Sequence, residues 1–425
     1  MANSVQMTTL DNGLRVITDR VEGIDSVAAG IWTGVGTRHE DLVHNGCAHM
    51  VEHMLFKGTE NRSAQEIAEV IENVGGHMNA YTGREVTSYH AHVLKEDTPL
   101  VIDVISDMYQ NYTMPEEEIE RERQVILQEI GMVNDTPDDL VFDDYQETAY
   151  PNQSLGAPIL GRAKYIESMS RTTMQDYVSR FYTPSRTVIS AAGGVDHDKF
   201  VRDVETHFTR LPTDIHHGKI GADYRGGENR NEKQLEQAHV ILGFQGVSRL
   251  DGDFHAASAL SSVLGGGMSS RLFQEVREKR GLVYSIFSFH AAYQDDGQFG
   301  IYAGTSPERL GELIPVICDE VQKAADNITE EEVDRAKAQL RASLLMGRES
   351  MMSRADRQAK HLLARDAVID IDDITTKIQA LDVAAVRGVA TRIFSSKLTM
   401  AGLGPLAQLE SYDQVCARLG RSMAA

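Results

Sequence analysis

The chain has 425 residues, 41% hydrophobic and 25% charged, the composition of an ordinary soluble globular protein whose length calls for at least two cores. Lys plus Arg number 42 against 63 Asp plus Glu, a formal net charge of −21. That balance argues against nucleic acid and against an anionic membrane surface as partners, and it favours cationic ligands. Three scattered cysteines (Cys47, Cys318, Cys416) make neither a disulfide framework nor a zinc ribbon, and the opening residues lack the cationic start and apolar core of a secretory signal. No apolar run approaches the roughly 18 residues of a membrane span. The expectation is a soluble protein of a reducing compartment, the cytoplasm.

Taken in chain order, Met7–Leu10 and Leu14–Thr18 flank Asp11-Asn12-Gly13 and predict a β-hairpin, because Asn-Gly favours positive φ. Ser26–Thr33 is a strand candidate and Asn45–Lys57 is helical in pattern. Ser63-Ala64-Gln65-Glu66 is a capping box opening a helix that Gly75-Gly76 ends. Thr87–Leu94 predicts a strand. Asp97–Tyr112 and Pro115–Val133 predict helices, with Pro115 suited to a first turn. The second half repeats this order loosely. Phe181–Thr187 leads into the small apolar stretch Val188–Gly193, and Ile393–Thr399 leads into Met400–Leu403 in the same way, which suggests a duplicated α+β unit. Between the halves Leu211–Lys233 is polar, with His216-His217 and Gly226-Gly227, and reads as a linker.

The stretch that carries chemistry is His49-Met50-Val51-Glu52-His53. Residues four apart share one helix face, so His49 and His53 can hold one metal ion. Glu52 stands beside them as a candidate general base. Two imidazoles and a carboxylate leave an open position on zinc, the pattern of a catalytic site. The bland alternative is an amphipathic helix with two surface histidines. A third ligand should be a carboxylate on another buried helix face. Along Pro115–Val133 the positions Glu118, Glu122, Val125, Ile126, Glu129 and Val133 fall on one side, and carboxylates among apolar residues there are costly unless they meet a cation. A solvated acidic face is the competing reading, and it suits Glu116 and Glu117 better than Glu129.

These residues resemble the inverted zinc motif of the pitrilysin, insulin-degrading and mitochondrial-processing peptidases. Glu129 follows His53 by 76 residues, the family's spacing. The likeness extends through Asn45-Gly46, Glu52–Thr59, Gly75–Thr82, Arg123–Ile130, Ala149–Gly161, Gly265–Phe273 and Arg277–Tyr284, and it resembles most the single-subunit bacterial branch. One departure is Met50-Val51, where the family usually has Phe-Leu. Both pairs are apolar, and Cys47, half a turn away from His49, is expected to be a small core residue.

The resemblance implies an α+β fold of two homologous domains, each a largely antiparallel sheet packed on helices and together half of a clamshell chamber. Residues 1–212 would form the zinc-binding catalytic domain and 213–233 a linker. Residues 234–425 would form a homologous domain without the motif. One Zn2+ per chain would be held by His49, His53 and Glu129, with Glu52 as base. Glu122 would orient a ligand histidine. Asn79 and Ala80 would pair with extended substrate backbone. Phe56 would line a site for an apolar residue after the cut, with plain core as the alternative. Asp139 and Asp143 would hold an arginine near the cut, with an acidic surface run as the alternative. Arg277 and Tyr284 would hold the substrate carbonyl and the oxyanion. Because one chain carries both sets, the expectation is a homodimer completed in trans, cleaving unfolded peptides or basic leader segments. The rivals are a broad scavenging oligopeptidase and a non-catalytic peptide-binding subunit of a heterodimer.

Overall fold

The computed structural model describes residues 5–214 and 220–420. In chain order the strands are β1 (Val5–Thr9), β2 (Arg15–Arg20), β3 (Ser26–Thr33), β4 (His77–Thr82), β5 (Thr87–Leu94), β6 (Thr187–Gly193), β7 (Gly227–Glu232), β8 (Ala238–Gln245), β9 (Ser285–Ala292), β10 (Gly297–Thr305) and β11 (Thr399–Gly404). The helices of the first half are α1 (Cys47–Leu55), α2 (Ala64–Glu72), α3 (Thr98–Gln110), α4 (Glu116–Asn134), α5 (Pro137–Ala149), α6 (Ala163–Ile166), α7 (Arg171–Phe181) and α8 (His197–His207). Those of the second are α9 (Phe254–Gly265), α10 (Leu310–Asn327), α11 (Glu330–Met346), α12 (Met351–Arg365), α13 (Ile371–Gln379), α14 (Val383–Phe394) and α15 (Tyr412–Arg418). The α+β expectation holds: two largely antiparallel sheets, each packed against helices.

The first sheet runs β1-β2-β6-β3-β5-β4 and the second β7-β11-β8-β10-β9. Each has one parallel pair, β2 with β6 and β7 with β11, and is otherwise antiparallel. The hairpin β1–β2 closes through Gly13 at φ +89°, as the Asn-Gly signal requires. The helix α2 opens with the expected capping box, Ser63 accepting from the Glu66 amide and Glu66 from that of Ser63.

The two compact units are not the two halves of the chain. The first comprises Met1–Gly131, Ala157–Ile220 and Met346–Ile369; the second comprises Met132–Gly156, Gly221–Leu345 and Asp370–Ala425. A single boundary at 213–233 therefore gives way to an exchange of helices. The apolar face of α5, Val141 and Tyr145, packs with Ile241, Tyr302, Ala401 and Leu403 of the second sheet. Gly243 leaves the room: a Cβ there would lie 2.1 Å from the Tyr145 hydroxyl oxygen. Conversely, Ala355, Ala359 and Leu362 of α12 pack on Ile17, Trp32, Val188 and Ala192 of the first sheet. There the Trp32 Nε1–H donates to Asp356 Oδ1 at 3.0 Å and the Ser190 hydroxyl to the Ala355 carbonyl at 2.9 Å.

The predicted linker is also shorter than expected. Its residues 227–232 form the strand β7, an edge strand whose polar sequence Gly-Glu-Asn-Arg-Asn-Glu hides it from hydropathy but whose backbone pairs with β11. His216 and His217 lie outside the described residues.

Candidate metal centre

The helix α1 has nine residues, and Cys47, Ala48, Met50, Val51, Met54 and Leu55 are all buried, so packing against the first core fixes its rotation. The spacing of four then sets His49 and His53 side by side, ring centroids 4.6 Å apart. Cys47 is in the core, its thiol directed at the Thr173 carbonyl. On α4, Ile119, Glu122 and Ile126 are buried and define the inward stripe on which Glu129 is the next member.

Glu129 Oε2 lies 3.9 Å from His49 Nε2 and 3.9 Å from His53 Nε2. It is the one set of three among the described residues whose donor atoms cluster in a metal-binding arrangement, all within 4.8 Å of one another. Both histidine–Glu129 separations, 3.9 Å, lie within the about 4 Å that one ion with bonds of about 2 Å can span. The Glu129 Oε2 atom is buried and has no hydrogen-bond partner among the described residues. A buried carboxylate oxygen between two imidazole nitrogens needs a cation, so the donor set fits zinc.

The surroundings tune the ligands. Burial, then the neighbouring His53, pushes His49 down to about 4, so it is neutral near pH 7 and offers a lone pair. Glu122 Oε2 lies 2.8 Å from His53 Nδ1, which directs His53 Nε2 at Glu129. Burial works to lower the pKa of His53, but the bond to Glu122 and the charges of Glu129, Glu122 and Glu52 outweigh it and raise it. Burial works to raise that of Glu122, but its bonds to His53 and to Lys57 (Nζ–Oε1 2.7 Å) hold it below the usual range. Glu52 is raised by burial against the bond it accepts from the Thr82 hydroxyl at the end of β4.

Thr82 and Lys57 were not singled out in the sequence. Both sit inside stretches that resemble the family, but only the folded contact of β4 with α1, and of Lys57 with Glu122, gives them a role. Asn79 and Ala80 lie on β4, whose outer edge is unpaired within the sheet, and the Asn79 carboxamide oxygen accepts from the Ala80 amide at 2.8 Å. Phe56 is half-buried at the end of α1, its ring 6.2 Å from Tyr89. Asp139 and Asp143 share a face of α5 in the second unit, as the spacing of four requires. In that unit Arg277 stacks over the Phe273 ring at 4.8 Å, and Tyr284 is 69% exposed beside the first residue of β9. No helix among the described residues is long and apolar enough to cross a membrane.

Comparison with known proteins places this geometry. The model of insulinase, peptidase family M16, matches residues 15–163, and that of the peptidase M16 inactive domain matches 168–340. A Rickettsia felis protein named an uncharacterized zinc protease is 40% identical over 95% of this chain and 98% of its own length. A Bacillus subtilis protein of similar name is 37% identical over 96% and 100%. The crystal structure of a protease from Helicobacter pylori superposes with a TM-score of 0.87 at 25% identity, covering 94% of this chain and 99% of the other.

Proposed function

The chain belongs to peptidase family M16, the insulinase family, and from that premise we propose that it is a zinc-dependent endopeptidase acting on extended peptides. The observation that carries the reading is Glu129 Oε2, buried and equidistant from two imidazole Nε2 atoms. Zinc held by His49, His53 and Glu129 would supply Lewis acidity toward a scissile carbonyl and toward water. The protein's own part is proton handling and alignment. Glu52 accepts a proton from the attacking water and returns it to the leaving amine, while Thr82 holds its Oε2 and so fixes the carboxylate's orientation. Glu122 keeps the proton of His53 on Nδ1. The unpaired edge of β4 at Asn79 and Ala80 takes the substrate as an added strand, which suits unfolded segments.

Three finer features belong to the same proposal. The net charge of −21 and the Asp139–Asp143 pair favour basic peptides, cleaved near arginine and before an apolar residue seated against Phe56. Arg277 and Tyr284 of a second copy hold the carbonyl and oxyanion in a homodimer. The three buried thiols suit the reducing cytoplasm.

The test is zinc content of purified protein together with hydrolysis of quenched arginine-containing peptides, with Glu52→Gln as control. Zinc binding without cleavage beyond that control would favour a non-catalytic subunit. Mixing zinc-site-dead with Arg277/Tyr284-dead chains should restore activity if the site is shared between copies.

A further inference from the structure

A helix begins with backbone amides that its own turns cannot satisfy, and α1 begins with a glycine at its cap, which has no side chain to offer them. Gly46 is required there: its φ is +96°, and a Cβ would lie 2.6 Å from Ile166 and 2.8 Å from the Gly161 backbone. The missing cap is supplied from outside the helix. Glu40 is 4% exposed, and its carboxylate accepts from the Ala48 amide at 2.6 Å, the Gly46 amide at 3.0 Å and the Asn45 carboxamide at 3.1 Å. Burial pushes the pKa of this carboxylate up, and the three donors and then the charge of Arg84 work against that rise.

The two histidines of the centre differ in how they are held. His53 is tied through Nδ1 to Glu122. His49 Nδ1 is buried and has no partner among the described residues, so the place of its ring follows from the backbone of the first turn. Glu40 binds that turn at Ala48, the residue before His49.

We propose that Glu40 is a positioning residue for the metal centre, fixing the first turn of α1 and through it His49. This rests on the zinc reading above. The experiment is zinc affinity by chelator competition, melting temperature of the metal-free protein, and the visible ligand-field spectrum with cobalt in place of zinc, for the wild type, Glu40→Gln, Glu40→Asp and Glu66→Gln. Glu66 caps α2 and bears on no ligand, so its variant keeps wild-type affinity and spectrum. A glutamine at position 40 turns an amide N–H2 toward N–H donors, and zinc affinity falls by on the order of tenfold or more with a shifted cobalt spectrum. Aspartate, one methylene short, gives an intermediate loss and carries the comparison should the glutamine variant not fold. A lower melting temperature with unchanged zinc affinity and cobalt spectrum would make Glu40 a structural cap only and overturn the proposal. Failure of the wild type itself to bind zinc would overturn the zinc reading and this role together.

Discussion

The two sheets follow one plan, yet among the described residues only the first unit carries a group of side chains that could hold a metal ion. β2-β6-β3-β5-β4 and β7-β11-β8-β10-β9 share strand order and the place of the single parallel pair. A helix follows the matching strand in each: α1 after β3 brings His49, Glu52 and His53, while α9 after β8 brings Ser258, Ser261 and Ser262. α4 and α11 both open on three glutamates, and laying one on the other puts Ala336 where Glu122 stands and Ser343 where Glu129 stands. In the second unit the helix-to-helix polar contact is neutral, Ser262 donating to Gln339. Serine and glutamine satisfy each other; two imidazoles facing a buried, unpartnered carboxylate oxygen call for a cation. The two units thus share a scaffold and differ in the side chains it presents, so the proposed chemistry would reside in those side chains and not in the fold.

The comparison breaks first at those side chains. Glu52→Gln should keep zinc and lose about 10²–10⁴-fold in kcat, whereas Glu129→Ala should lose the zinc itself; metal analysis beside peptide hydrolysis separates the two. No such effect is expected of Ser261→Ala in the second unit. Next come the exchanged helices. Tyr145→Ala should cost about 3–5 kcal/mol in chemical denaturation, since it empties the seat of α5 on the second sheet.

Acid should distinguish the first unit further. His39, packed on Phe181 and accepting from the Gly36 amide, is pushed down to about 4, by burial first and then by Arg186 and Arg38. Its depressed value means that the unfolded chain binds the extra proton. His39 therefore costs nothing above about pH 6.5 and up to about 3 kcal/mol as pH falls toward 4. Melting curves of His39→Gln should lose that part of the acid slope. Glu40 beside it, raised by burial to about 7, works in the opposite direction between 7 and 4.5, so the wild-type slope is the difference of the two. The smallest effect is Lys57→Met, which removes one of two bonds holding Glu122 ionised. Zinc affinity should fall by about tenfold, as for other groups behind a ligand.

Much of this was legible beforehand where one physical signal dominates. Ser26–Thr33 and Thr87–Leu94 are strands over the residues expected; in the second, Thr, Tyr and Val without Gly or Pro leave few alternatives. The capping box was readable from spacing alone, and so were Glu122, Ile126 and Glu129 on α4; the buried stripe takes in Ile119 rather than Glu118, and Val125, expected on it, is exposed. β7 was not, since an edge strand of Asn, Arg and Glu has the composition of a loop. Nor was the bond from Thr82 to Glu52, which depends on two segments 30 residues apart meeting. The helix exchange was hidden for the same reason: nothing in α5 or α12 states which sheet its apolar face will meet.

That exchange bears on how the protein can be cut. A fragment ending near residue 212 would keep Glu129 yet lack α12, leaving Trp32 and Val188 of its sheet stripped of cover, while α5 would dangle with Tyr145 in water. The complementary fragment would fare no better without α5. Neither half is a module that a gene could shed or shuffle, and a zinc-binding piece for biophysical work would need residues 346–369 grafted back onto it.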